Sequence, residues 1–417
     1  MPHRTRTTRR RAGALALAFA ALALPLAACS SDAGSDGSAA STEPIAGADG
    51  GSTTTEVPEA EIYTGDVEGF YEVPDPLPEG EPGQLIRVQD LGGEGGQHTV
   101  RVMYHSRDAA DRDRAVTGII TYPTAEAPEG GWPVTSQANG TVGLASQCAL
   151  SRNGAPAGDW GVEGVHAATD YIGMGPVGEI HPYLSGPSEG NSVIDAVRAA
   201  RNLPDAGAGT EWFSIGHSQG GHGALFAGER ADEYAPELDL LGTVSLAPAT
   251  ELTETYGPLD EIVSRIVGVM MLYGATTEHP EIVFEDYAGP ELLAAADVFE
   301  TGCLDDIITA TAGISGDTFY AHDPLETEPA KGLLEVNQPG LVATDSPLFL
   351  AQGTVDERVN VQRTKDFFDR VCDLGQVTEL VIVEGKDHGS IIPAAAPAAA
   401  EWMNDRLAGK PAPDSCP

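Results

Sequence analysis

Apolar runs with two different periods alternate along this chain and set the expected order of its elements. Residues 98–104 alternate apolar and polar positions, the period-two pattern of a half-buried strand. Residues 115–122 (Ala-Val-Thr-Gly-Ile-Ile-Thr-Tyr) are rich in the branched side chains that strands favour. Short apolar runs recur at 132–134, 165–169, 212–215, 241–246, 347–351 and 378–383. Between them, residues 192–203 put Val193, Ala196, Val197 and Ala200 on one side of a helix. Strands alternating with helices predict an α/β fold, a mostly parallel central sheet with helices on both faces.

From about 251 to 345 the strand pattern stops. Ile262, Val263, Ile266, Val267, Met270 and Met271 follow amphipathic-helix spacing, and Leu292, Leu293, Ala296, Val298 and Phe299 predict a second helix. A helical insertion here would make a cap whose apolar underside accepts an acyl chain. The plainer account is that these faces pack onto the sheet, and the two are compatible.

The N-terminus reads as an address. Arg4, Arg6 and Arg9 to Arg11 precede an apolar stretch, residues 12–24, that is too short to span a bilayer comfortably. Leu26-Ala27-Ala28-Cys29 resembles a bacterial lipobox, in which Cys29 would take a diacylglycerol and become the mature N-terminus. Residues 1–28 are thus expected to be a lipoprotein signal peptide that leads to export and a lipid anchor on the outer face of the membrane. The alternative is ordinary secretion with Cys29 incidental. Residues 29–60, rich in Ser, Gly, Ala, Thr and acid, form a flexible tether. Residues 61–417 are the globular domain.

Composition narrows the function. The chain has 63 acidic and 23 basic residues, net −40; the five leader arginines leave without any acid, which takes the mature chain to −45. Phosphate binding needs basic patches, so nucleic acid is excluded as a partner. The acidity fits a solvated surface. Setting Cys29 aside leaves Cys148, Cys303, Cys372 and Cys416, an even count that in an exported protein predicts two disulfides with three possible pairings. There is no C-x-x-C or H-E-x-x-H, so no metal is expected. Asp108, Asp111 and Asp113 lack the glycine and terminal glutamate of a calcium loop and read as a solvated loop. Nothing in the pattern specifies an oligomeric state.

The most informative segment is Gly216-His217-Ser218-Gln219-Gly220. It follows the run 212–215 and precedes Gly221-His222-Gly223-Ala224-Leu225-Phe226-Ala227, a small-residue helix pattern. G-x-S-x-G between a strand and a helix is the nucleophile elbow of the α/β-hydrolase fold, with Ser218 as nucleophile. Its partners would come from loops beyond later strands. Asp356 follows the run 347–351 and His388 follows 378–383, and Ser218, Asp356, His388 is the chain order this fold uses. His388 would accept the Ser218 proton and return it to the leaving group, while Asp356 orients the imidazole. The oxyanion donors would be the backbone N–H of Gln219 and the loop Asn139-Gly140-Thr141. Glu357 is the rival acid. Asp387 reads as a loop-shaping residue, and His222 as either a packing residue or one that supports the site from behind the elbow. His217 fills the variable elbow position, His166 and His181 read as structural, and Asp170 ends a strand as a turn or pocket residue.

Together these segments resemble the secretory lipase family of capped α/β-hydrolases. The resemblance covers roughly residues 68–416. It rests on Trp132-Pro133-Val134, Asn139-Gly140-Thr141-Val142-Gly143-Leu144, Cys148-Ala149, Thr169-Asp170-Tyr171-Ile172-Gly173-Met174-Gly175 and His181-Pro182-Tyr183-Leu184. It also rests on Gly216 to His222, Tyr234-Ala235-Pro236-Glu237-Leu238, Gly353-Thr354-Val355-Asp356 and Asp387-His388. It implies hydrolysis of an ester or lipid substrate by Ser218, Asp356 and His388 without a cofactor, and the pairings Cys148–Cys303 and Cys372–Cys416. Many relatives carry His-Gly-Thr where this chain has Asn139-Gly140-Thr141. Transfer of the acyl group to an acceptor other than water, cleavage of peptides, and a non-catalytic binding role on the same fold are the competing expectations.

Overall fold

The computed structural model describes residues 59–255 and 262–417. The leader, Cys29 and nearly all of the tether lie outside the described residues. Among the described residues ten strands form one sheet: β1 (Glu61–Ile62), β2 (Leu85–Glu94), β3 (Gln97–Arg107), β4 (Asp113–Pro123), β5 (Trp132–Ala138), β6 (Val165–Thr169), β7 (Ala208–His217), β8 (Asp239–Leu246), β9 (Leu348–Gly353) and β10 (Thr378–Val383). Their order is β1-β2-β3-β4-β6-β5-β7-β8-β9-β10. Six of the nine pairings are parallel; the antiparallel ones join β2 to β3, β3 to β4 and β4 to β6.

Strand β2 escapes the hydrophobic pattern because Arg87 interrupts it. That buried guanidinium donates to the carbonyls of Phe70 at 2.7 Å and Glu72 at 2.9 Å and pairs with Glu61, so its desolvation is compensated. The Asp108–Asp113 segment also differs from expectation. Arg112 and Arg114 pair with a buried Asp108, and Arg107 and His105 with Asp113, so only Asp111 is a solvated loop residue.

Both faces of the sheet are covered. Helices α1 (Gly186–Asn202) and α2 (Gln219–Tyr234) bury Val193, Val197, Ala224 and Ala227 against Val134, Val165 and Trp212. Further along the chain, α5 (Val361–Asp373) packs Phe367, Phe368 and Val371 on Leu225, Leu348 and Leu350. On the opposite face α6 (Ile391–Leu407) lays Ile391, Ala395, Ala399 and Trp402 over Phe213, Ile215, Val244 and Phe349. Trp212 and Phe213 thus point to opposite faces, as the pleat requires.

The expected start of α1 is six residues late. Gly186-Pro187-Ser188-Glu189-Gly190 has loop composition, yet it is helical. Its glycines serve a helix contact: a Cβ on Gly186 would lie 2.3 Å from the Phe226 ring, and one on Gly190 2.9 Å from the Phe226 backbone. Pro187 sits in the first turn, where its missing N–H costs nothing.

The insertion after β8 has its own apolar core. Helix α3 (Ile262–Ala275) buries Ile266, Val269, Met270 and Met271 with Leu292, Phe299, Ile307 and Phe319. The second helix expected there is divided. Pro290–Ala294 and Val298–Thr301 are separate turns of helix, split where Ala295 and Ala296 bond back three residues rather than four. Helix α4 (Leu304–Thr311) follows. Disulfides join Cys148 to Cys303 and Cys372 to Cys416. Among the described residues no helix is long and apolar enough to cross a membrane.

Candidate active site

The order β6-β5-β7 reverses the chain direction across the sheet, and such a switch opens a crevice at the carboxyl ends of its strands. Here β5 pairs with β7, Ala138 opposite Gly216. The loop 139–141 therefore emerges beside the turn after β7.

That turn holds Ser218 at φ +60° and ψ −121°, a conformation sparsely populated by residues other than glycine. Its neighbours must lack side chains. A Cβ on Gly216 would lie 2.0 Å from the Gly220 carbonyl oxygen, and one on Gly220 2.1 Å from that of Ala138. Ser218 occupies the N-cap of α2, yet its hydroxyl does not cap the helix. Instead Oγ lies 2.9 Å from His388 Nε2.

His388 comes from the loop after β10 and Asp356 from the loop after β9. His388 Nδ1 lies 2.8 Å from Asp356 Oδ2. The carboxylate is further held by the backbone N–H groups of Arg358 (2.8 Å) and Val359 (2.9 Å) on Oδ1 and by Gln352 Nε2 (2.9 Å) on Oδ2. Burial acts against its charge, but the hydrogen bond and charge of His388 and the two backbone donors outweigh it, leaving the pKa below the ordinary aspartate value. An ionised acceptor on Nδ1 fixes the proton there, so Nε2 presents its lone pair to Ser218.

The Ser218 N–H is taken by the Leu246 carbonyl at 3.0 Å. The Gln219 N–H is the first of α2, where no intrahelical acceptor exists, at the positive end of the helix dipole. Across the crevice Gly140 and Thr141 line the same cavity, with Thr141 Oγ1 2.8 Å from the Tyr183 hydroxyl. Their loop is held by buried Asn139, whose amide donates to the Thr169 carbonyl at 2.7 Å and accepts from Gln137 at 3.0 Å. Asn139 therefore orders this loop through its own side chain.

A cavity of about 390 Å³ lies over Ser218. Gly140, Thr141, His217, Arg358 and His388 border its polar end; Ile262, Val263, Ile266, Val267 and Met270 of α3 and Leu304 and Ile308 of α4 form its apolar wall. The insertion thus supplies much of the apolar lining of the cavity over Ser218.

The remaining candidates separate cleanly. Glu357 is exposed at the rim and makes no hydrogen bond to His388. Asp387 accepts from the Ser390 N–H (2.8 Å) and hydroxyl (2.6 Å), shaping the His388 loop. Asp170 is buried away from the cavity, accepting from Thr117 and Ser151; burial raises its pKa to about 6. His166 bonds Thr135. His217 donates Nε2–H to the His388 carbonyl at 2.7 Å and lies against the His388 ring, centroids 4.4 Å apart. Burial and then the neighbouring His388 charge lower its pKa to about 4, keeping it neutral near pH 7.

Sequence reasoning overlooked Glu189 and left His181 unconnected. Both meet the Gln219 amide under the elbow, and Glu189 also meets His222. The available signal was a glutamate in an otherwise small-residue helical start. Among the described residues no group of three or more His, Cys, Asp or Glu is arranged to hold a metal ion.

The family model described as secretory lipase matches residues 162–415. Lipase 5 of Candida albicans is 28% identical over 56% of this chain and 54% of its own. A probable inactive lipase of Mycobacterium tuberculosis is 29% identical over 54% of this chain and 52% of its own. The chain thus spans about half the length of the curated relatives it matches. The closed-state structure of Candida antarctica lipase A superposes with a TM-score of 0.71 at 17% identity, covering 83% of this chain and 87% of that one, a likeness of fold.

Proposed function

Because the chain belongs to the secretory lipase family, we propose that it hydrolyses carboxylic esters through an acyl-enzyme on Ser218. The observation that carries this reading is the unbroken relay from Ser218 Oγ to His388 Nε2 (2.9 Å) and from His388 Nδ1 to Asp356 Oδ2 (2.8 Å). As Ser218 Oγ attacks the ester carbonyl, its proton passes to His388 Nε2. Asp356 steadies the imidazolium, and the oxyanion takes hydrogen bonds from the Gln219 N–H and the backbone at Gly140 and Thr141. His388 then protonates the departing alcohol. Water, deprotonated by the same nitrogen, releases the acid and restores Ser218.

The α3 and α4 side chains favour an acyl chain over a polar substituent, so esters of fatty acids are the substrate class. The leader and Cys29 suit an exported protein tethered by lipid, which would keep this pocket at the outer membrane face. One relative bears the name probable inactive lipase, which favours a binding role as the second reading. The three side chains and their spacing speak for turnover instead. The test is Ser218→Ala on p-nitrophenyl esters. The variant should fold and lose turnover; retained turnover would end the proposal.

A further inference from the structure

Beneath the elbow lies a buried polar network outside the Ser218–His388–Asp356 relay. Glu189 in α1 accepts from the Leu184 N–H at 3.0 Å, from Gln219 Nε2 at 2.7 Å and from His222 Nδ1 at 2.7 Å. Gln219 Nε2 also lies 2.7 Å from His181 Nε2, and His181 Nδ1 donates to the Ile172 carbonyl at 2.9 Å. His222 Nε2 donates to the Asn337 carbonyl at 2.9 Å. Glu189, His181, Gln219 and His222 are each at most 1% exposed.

The donor count closes. The two Gln219 amide hydrogens go to Glu189 and to the lone pair of His181. Both His222 nitrogens face groups that accept, the Glu189 carboxylate and the Asn337 carbonyl. Burial opposes the Glu189 charge, but His222 and His181 together outweigh it and the pKa falls below the usual glutamate value.

The sequence of the first turn of α2 explains why this matters. Gln219-Gly220-Gly221-His222-Gly223 carries only two side chains, and both enter the network. The peptide that carries the Gln219 N–H is also held through the Ser218 carbonyl, which accepts from the His222 N–H at 3.1 Å and the Ala249 N–H at 3.2 Å, so the two side chains brace a turn that backbone bonds anchor from the other side. The network also leaves Gln219 Oε1 buried with no partner among the described residues. A buried carboxylate network with an orphaned oxygen is a poor way to gain stability, since apolar packing of similar volume often serves better.

We propose that Glu189 is a positioning residue which, through Gln219, His222 and His181, aims the Gln219 N–H at the oxyanion. The proposal rests on the hydrolase reading above. Asn337 follows the insertion's last helix, Ala330–Val336, so the same network joins that end of the insertion to the elbow.

The test is Glu189→Gln, assayed on p-nitrophenyl butyrate and for inhibition by an alkyl trifluoromethyl ketone, whose adduct with the nucleophile carries an oxyanion. We expect kcat to fall roughly tenfold to a hundredfold, short of losing a whole oxyanion donor. KM should stay within about twofold, and ketone affinity should fall in parallel with kcat, as for an interaction made in the transition state. A merely structural residue would lower melting temperature without that parallel. If Glu189→Gln does not fold, Gln219→Met cuts the tether and keeps the backbone N–H, and the same parallel loss is expected. Native kcat and ketone affinity in a folded variant would overturn the proposal. If Ser218→Ala is inactive in the same assay, that result leaves the hydrolase reading intact; turnover by Ser218→Ala would overturn both.

Discussion

Replacing Asp356 by Asn tests the relay by changing one group at nearly constant volume. Oδ1 of Asp356 accepts from two backbone N–H groups, so the Asn oxygen will take that position. The new NH2 then sits where Oδ2 was, facing His388 Nδ1 and Gln352 Nε2. A donor opposite Nδ1 moves the imidazole proton to Nε2, which faces Ser218 and can no longer accept from it. The loss should be about 10⁴-fold in kcat, or about 5.5 kcal/mol, as for a serine hydrolase with the wrong tautomer. A smaller structural cost accompanies it. Gln352 Nε2 loses Oδ2 but keeps the Val359 carbonyl at 3.0 Å, so stability should fall by about 1 kcal/mol. The assay is steady-state hydrolysis of p-nitrophenyl butyrate, with thermal melting followed by circular dichroism. A folded Asp356→Asn protein within tenfold of the parent kcat would refute the orienting role.

Other outcomes follow from the packing. Burial raises the Glu229 pKa to about 7, so the folded state binds the extra proton between about 4.5 and 7, and stability falls as pH rises through that window. A proton held across that window is worth about 3 kcal/mol, so Glu229→Gln should raise the melting temperature at pH 8 by about 4 °C and leave it nearly unchanged at pH 4.5; an equal shift at both pH values would contradict this. Cys372→Ser with Cys416→Ser opens a link with a sequence separation of 44, and urea titration should show a loss of about 2–4 kcal/mol. Asn139→Ala strips the buried Thr169 carbonyl of its side-chain donor. It should cost about 1–3 kcal/mol by the same titration and lower kcat more than it raises KM.

The chain order of the site is legible because its local chemistry is demanding. A serine at positive φ needs Gly216 and Gly220 beside it, and that need writes itself into the sequence. Asp356 and His388 follow short apolar strands and could be read from position alone. What depends on contacts between distant elements is not legible. Glycine at 186 and 190 resembles a loop until Phe226 of α2 is seen against it. Arg87 resembles a surface residue until the carbonyls of Phe70 and Glu72 are found around it. Glu189 and His222 are 33 residues apart on two helices, and only the crossing of those helices joins them. The break at residues 295–297 is likewise set by the insertion's core, which buries Leu292 and Phe299 on either side of it.

Covalent trapping of the nucleophile decides whether Ser218 reacts as proposed. The purified protein is incubated with an alkyl fluorophosphonate, and the intact mass and tryptic map are read by mass spectrometry. One adduct per chain is expected, on Ser218, absent from Ser218→Ala and strongly slowed in His388→Ala. A folded protein that takes no adduct, or takes it on another residue with Ser218 unmodified, would contradict the account.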